Sequence, residues 1–277
     1  MLRSFKYILF FFGLEFFSMA LLAPLFLIDG FGKSLYIILG LLMGNALFVW
    51  YVLAKGKTDI RTGFLNSKPW PLLLICFFAT LFFIMPEREL ISVLSFDEIC
   101  DDFDFMSVPL AGILAAGIMA PLAEEVLFRG VILRSLLRER WTESRPWLAV
   151  MISALLFSLF HMNPDQMLGA FAMGVFTGWL CHRTGSLLPG IVVHMTNNMI
   201  ACLANFIPTN NDAESFYDLF QSPAVYWLVL LLSIILCAAC VYLAAAELKR
   251  MGLPHRVEHS LFENEQKLPC DIDMDTL

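Results

Sequence analysis

Charge is scarce in this chain: Asp, Glu, Lys and Arg make up 16% of its 277 residues, while 59% are hydrophobic. A soluble domain carries about 25% charged and about 45–50% apolar residues, so an ordinary soluble fold is excluded. A mean hydropathy of +0.73 fits a polytopic membrane protein instead. A basic patch is also lacking. Eighteen Lys and Arg stand against 25 Asp and Glu, and the net charge of -7 gathers in a few loops and the tail. Nucleic-acid binding is therefore not expected. The seven cysteines are scattered, mostly in apolar runs, where cysteine behaves as a small hydrophobe. Cys237 and Cys240 form a CxxC with no second pair and no nearby histidine, which is no metal or redox framework. There is no HExxH helix for zinc and no GxSxG serine elbow. The acidic stretch Asp97, Glu98, Asp101, Asp102, Asp104 lacks the glycine and closing glutamate of a calcium loop and reads as a solvated face. No internal repeat is present, and repeats are common in transporters.

What remains is a series of long apolar runs, which predict an all-α, polytopic membrane helix bundle with about eight transmembrane helices. The runs are Lys6 to Asp29, Leu35 to Ala54, Trp70 to Met85, Met106 to Arg138, Trp147 to His161, Met167 to Cys181, Leu187 to Phe206 and Val225 to Ala246. The first has a basic start but carries Glu15 and no clear small-x-small cleavage site, so it is read as a retained anchor. Several runs fall short of the ~20 residues of a simple span, as in a bundle thinned or hydrated around a site. Lys and Arg alternate between rich and poor segments along the series, which places both termini in the cytoplasm by the positive-inside rule. Residues 1–246 form a single membrane-embedded helical domain. Residues 247–277 turn polar and read as a flexible cytoplasmic tail. The chain ends Met-Asp-Thr-Leu without a cysteine four from the end, so it is not expected to be prenylated itself.

Against this apolar background a few polar groups stand out. Glu124, Glu125 and Arg129 lie within the fourth run, where each charge is costly unless it faces a partner or a cavity. Glu125 and Arg129 are four apart with the acid first, the favourable order for an ion pair. Glu124 is turned about 100° away, free for chemistry. Phe157 and His161 share one face of the fifth run, as His194 and Asn198 do in the seventh. At the rise of an α-helix, His161 lies about 21 Å in from Trp147 and His194 about 10 Å in from Leu187. Glu124 reaches a comparable depth, about 21 Å, only if the fourth helix runs on to Arg138. A long fourth helix is therefore expected, with a meeting point open to water from the cytoplasmic side. A carboxylate and an imidazole can hold and deprotonate a water while further donors meet a developing oxyanion. Glu124, His161 and His194 also make a donor set that suits zinc, although their spacing is dispersed. Gly174 and Gly178 are read as a close-packing pair, and Glu15 and Asn45 either line a cavity or are satisfied between helices.

Glu124-Glu125-x-x-x-Arg129, Phe157-x-x-x-His161 and His194-x-x-x-Asn198, in that order on separate apolar helices, resemble the CAAX protease and bacteriocin-processing family of intramembrane proteases. That family includes the type II CAAX prenyl endopeptidases. The resemblance covers residues about 107 to 206, and the motif positions show no departure from it. It implies a glutamate-dependent peptidase in which Glu124 is the general base and acts with His161 on the attacking water. His194 and Asn198 would stabilise the oxyanion, Glu125 and Arg129 would form a supporting pair, and Phe157 would shape the site. Arg129 would also be placed to meet a substrate carboxylate. The implied partners are membrane lipids and a peptide or protein substrate, prenylated or otherwise processed at its C-terminus. No cofactor is implied, and zinc is left open.

The expectation is thus an intramembrane endopeptidase that cleaves near the cytoplasmic face. The family's distribution favours a bacterial inner membrane. The competing readings are a proton-coupled transporter, because carboxylates and histidines also build proton relays, and a non-catalytic scaffold or immunity protein. The missing repeat weighs against the first, and the intact Glu, His, His and Asn set weighs against the second.

Overall fold

A computed structural model describes residues 2–27, 32–56, 63–94, 108–204, 206, 220 and 222–252. Among the described residues the protein is all helix, without a strand. The main helices are α1 (Leu2–Leu22), α2 (Lys33–Ala54), α3 (Trp70–Leu94), α4 (Pro109–Leu137), α5 (Pro146–Phe160), α6 (Pro164–Thr184), α7 (Leu188–Ala204) and α8 (Pro223–Arg250). Five of them are long and apolar enough to cross a membrane: α1 with the turn that follows it, α2, α3, α4 and α8. Helices α5 and α7 are apolar but shorter. Helix α6 is long enough but more polar, with Asp165 and Gln166 at its start and His182 and Arg183 at its end. The expectation of about eight spans therefore stands at five by length and apolarity. The acidic stretch 97–104 and the tail from 253 onward lie outside the described residues.

Helix α4 is the axis of the bundle, packed by α1, α2, α5, α6 and α7. It runs unbroken from Pro109 to Leu137, so Glu124 lies about 20 Å along the axis from its C-terminal end at ~1.5 Å per residue. Every residue from Val126 to Leu133 is buried, including Arg129. The backbone of α4 is uneven. Ile113–Met119 and Val126–Leu133 are π-helical and flank the α-helical turns of Ala120–Glu125. Such widened stretches are uncommon and gather at functional sites.

Aromatic rings knit the helices around this axis. Phe128 of α4 meets Phe157 and Phe160 of α5 edge-on, with centroids 5.1 and 5.3 Å apart. Phe160 meets Phe11 of α1, which in turn meets Phe48 of α2. Glycines set the closest approaches. Gly174 and Gly178 of α6 pack on Ala154 and Val150 of α5, so that a Cβ would stand 3.0 and 3.1 Å from them. These two positions form the small-residue face that lets helices meet closely.

Two boundaries differ from the sequence expectation. Helix α3 was expected to stop at Met85, before Pro86, yet it continues through Pro86 to Leu94 and takes Arg88 into the helix. A proline removes only one ladder hydrogen bond, and the polar residues beyond it are accommodated by neighbours. The Glu87 carboxylate fills the space left by the missing Cβ of Gly169 in α6, and the Tyr226 hydroxyl of α8 donates to Glu89. Helix α8 runs past Ala246 to Arg250, where Arg250 Nη2 and Nε pair with Glu247 at 2.6 and 2.8 Å.

The α1–α2 contact yields a graded test. A Cβ on Gly44 would stand 2.9 Å from the Glu15 Cα, which is backbone, whereas one on Gly40 would stand 2.8 Å from the Met19 Cγ, which can swing aside. Gly44→Ala is therefore expected to destabilise by about 1–3 kcal/mol and Gly40→Ala by less. Thermal unfolding of the two variants in one detergent ranks them, and the reverse order would contradict this packing.

Candidate active site

The site grows from consecutive glutamates on α4. A helix turns about 100° per residue, so Glu124 and Glu125 leave the axis in different directions and meet different surroundings. Glu125 is 0% exposed and Glu124 14% exposed. Glu125 Oε1 lies 2.9 Å from Arg129 Nη1 and 3.2 Å from His194 Nδ1. One carboxylate oxygen thereby joins a cation one turn along its own helix to an imidazole on α7.

Arg129 is itself 1% exposed, with its Cζ 4.2 Å from the centroid of the Phe157 ring. A guanidinium over an aromatic face gains from the ring quadrupole. The contact with Glu125 is an ion pair by distance but is not aligned as a hydrogen bond, and Nε, Nη1 and Nη2 have no hydrogen-bond partner. Arg129 is thus buried beneath Phe157.

Phe157 also stands between the two histidines. His161 and His194 meet it edge-on, with centroid distances of 4.9 and 5.3 Å and interplanar angles of 84° for both. Gly174 of α6 backs the ring, where a Cβ would stand 3.3 Å from Phe157 Cδ1. His161 caps α5, and its Nδ1 lies 2.9 Å from the Phe157 carbonyl. A carbonyl only accepts, so this nitrogen carries the hydrogen and Nε2 is the ring atom left for chemistry. Glu125 likewise holds Nδ1 of His194, and Nε2 of that ring faces Glu124 Oε2 at 3.7 Å. That gap is too long for a direct hydrogen bond. Glu124 Oε2 has no hydrogen-bond partner of its own.

The structure thus gathers Glu124, Glu125, Arg129, Phe157 and His194 into one contact network. His161 joins through the Phe157 ring, and no polar contact links it to Glu124 among the described residues. Asn198 lies on α7 one turn beyond His194 and donates Nδ2–H to the Ala116 carbonyl at 2.9 Å. Among the described residues, no three of His, Cys, Asp or Glu are grouped so as to hold a metal ion. Glu124, His161 and His194 therefore do not fit as a zinc set in this arrangement.

Two contributors escaped the sequence reading. Gly190 precedes His194 by one turn, and a Cβ there would stand 2.6 Å from Glu125 Oε2. The absent side chain is what seats that carboxylate. Pro121, one turn before Glu124, interrupts the amide ladder of α4. A glycine four before a histidine and a proline inside an apolar helix were the available signals. Glu15 of α1 is a further carboxylate near Glu124, close enough to interact with it electrostatically.

Two comparisons bear on this arrangement. Residues 106–200 match the family described as type II CAAX prenyl endopeptidase Rce1-like, a segment that contains every residue of the network and both histidines. The "Uncharacterized 24.3 kDa protein" of Escherichia coli is 35% identical over 96 residues, covering 33% of this chain and 42% of that protein. The "Putative membrane peptidase YdiL" of Bacillus subtilis (strain 168) is 28% identical over 108 residues, covering 39% of this chain and 42% of that protein. The similarity spans less than half the length of either relative. No solved structure matches significantly.

The Glu125 junction generates a stability test. Arg129→Met leaves a buried carboxylate without its cation and is expected to destabilise by about 3–5 kcal/mol. Adding Glu125→Gln to the same chain removes the stranded charge, so the double variant is expected to be more stable than Arg129→Met alone. Thermal melts of the wild type, both single variants and the double variant in one detergent measure the coupling. Strict additivity would show that the two groups do not depend on each other.

Proposed function

Because residues 106–200 form an Rce1-like segment of the type II CAAX prenyl endopeptidase family, we propose that the protein is an integral-membrane endopeptidase. In this reading it hydrolyses a peptide bond with a water activated at Glu124. The division between the adjacent glutamates carries the proposal. Glu125 is sealed, with one oxygen shared between Arg129 and His194, whereas Glu124 is 14% exposed and has no cation of its own beside it.

The proposed reaction follows from these atoms. A water held at Glu124 attacks the scissile carbonyl carbon and gives up a proton to the carboxylate, which acts as general base. The C–O bond forms as the carbonyl π bond opens, and the oxyanion is met by the second N–H of Asn198 and, in the doubly protonated form of the ring, by Nε2–H of His194. Collapse breaks the C–N bond, and the proton held at Glu124 passes to the leaving amine. His161 contributes from the far side of Phe157, with Nε2 as the ring atom able to take or share a proton. The reaction as drawn needs no cofactor.

The alternation of basic and poor segments supports cytoplasmic termini and cleavage near the cytoplasmic face of a bacterial inner membrane. The family description points to a substrate with a prenylated C-terminal peptide. Peptide or protein substrates processed in other ways are the broader class, and lipids surround the apolar outer faces of α1 and α8.

Comparing peptide termini in membranes and medium from matched cells tests this reading. The cells express wild type or Glu124→Gln at equal abundance. A processed terminus is expected with wild type alone. If no terminus differs while Glu124→Gln still rescues a deletion phenotype, the scaffold reading replaces catalysis at Glu124.

A further inference from the structure

The hydrogen-bond ladder of α4 is broken one turn before Glu124. The stretch Ile113–Met119 is π-helical, the geometry in which an amide reaches back five residues. The Ala120 amide follows this register and bonds the Ala115 carbonyl. The next amide in register would serve the Ala116 carbonyl, and it belongs to Pro121, which has no N–H. A main-chain carbonyl without a donor is costly within a membrane bundle, where solvent does not replace the lost bond. Asn198 Nδ2 donates to this carbonyl at 2.9 Å.

The neighbouring residues allow the approach. Gly117 follows Ala116, and a Cβ on it would stand 2.7 Å from Sδ of Met199, the residue after Asn198. The bare Gly117 backbone therefore lets α7 come within hydrogen-bond reach. Asn198 and His194 are four apart and share a face of α7. One of them meets the glutamate pair, and the other meets the turn that leads into it.

We propose that Asn198 is a positioning residue that acts through the Ala116 carbonyl, supplying the N–H that Pro121 lacks and so fixing the turn of α4 that carries Glu124 and Glu125. Its effect on cleavage rests on the protease reading, while the hydrogen bond and its contribution to folding do not. An oxyanion role alone gives no reason for Asn198 to depend on Pro121, whereas the positioning role requires that dependence.

The test is a double-mutant cycle on the full-length chain in detergent, with Asn198→Ala, Pro121→Ala and both together. Restoring an amide at position 121 returns a donor to the Ala116 carbonyl. Asn198→Ala alone is expected to lower the thermal midpoint and to reduce release of the processed terminus by roughly 100-fold, the scale of a small misplacement at a reacting centre. In the Pro121→Ala background the same substitution is expected to cost little in the thermal midpoint, and its effect on cleavage is expected to shrink to the part that the oxyanion N–H of Asn198 supplies. If Asn198→Ala does not accumulate, the double variant is expected to do so. The proposal is overturned if the midpoint losses add, if the double variant also fails to accumulate, or if stability returns while cleavage stays as low as in Asn198→Ala. If wild type yields no processed terminus, the protease reading fails separately, and the midpoint cycle still decides whether Asn198 and Pro121 are coupled.

Discussion

A carboxylate and a guanidinium buried in the middle of an apolar helix are tolerable only if they neutralise each other and little else reaches them. Glu125 and Arg129 meet that condition on α4, and much of the site follows from it. Arg129 needs a cover that is apolar yet attracts cations, and Phe157 provides one. The same ring then separates His161 from His194, and the same Glu125 oxygen fixes His194 at Nδ1. The histidine presents its other nitrogen to Glu124, so a buried ion pair determines which imidazole atom faces the second carboxylate.

Holding that junction together requires close helix contact, and the protein obtains it by omitting side chains. Gly190 makes room for Glu125, Gly174 for the Phe157 ring and Gly117 for Met199. In lipid the hydrophobic effect does not drive helices together, so packing and interhelical hydrogen bonds must do so, and small residues permit both. Where the backbone ladder itself fails, at Pro121, a side chain from the next helix meets the unserved carbonyl. The uneven helical geometry of α4 belongs to the same device, since α-helical turns carry the two glutamates between wider turns that set their facing.

Much of this was legible in the chain before any coordinates. Helical spacing alone pairs Glu125 with Arg129 and turns Glu124 away, because both relations are local to one helix. The order of the three motifs on separate apolar runs marks the segment that carries the family similarity. Depth along the axis required α4 to be long, and it runs to Leu137. Less was legible at boundaries. The polar residues after Pro86 end an apolar run in the sequence, yet in the fold Gly169 and Tyr226 from distant segments accommodate them and α3 continues.

By itself the sequence determined an all-helical membrane bundle, the central place of the Glu124–Arg129 turn and which residues share a helix face, since periodicity and hydropathy act over a few neighbouring residues. Only the tertiary structure decided that Glu124 faces His194 while His161 lies across Phe157, that Arg129 is closed off, and that Asn198 reaches the Ala116 carbonyl. Those outcomes depend on how far each helix is rotated and how closely its neighbours approach. That is set by side chains present and absent on segments tens of residues apart.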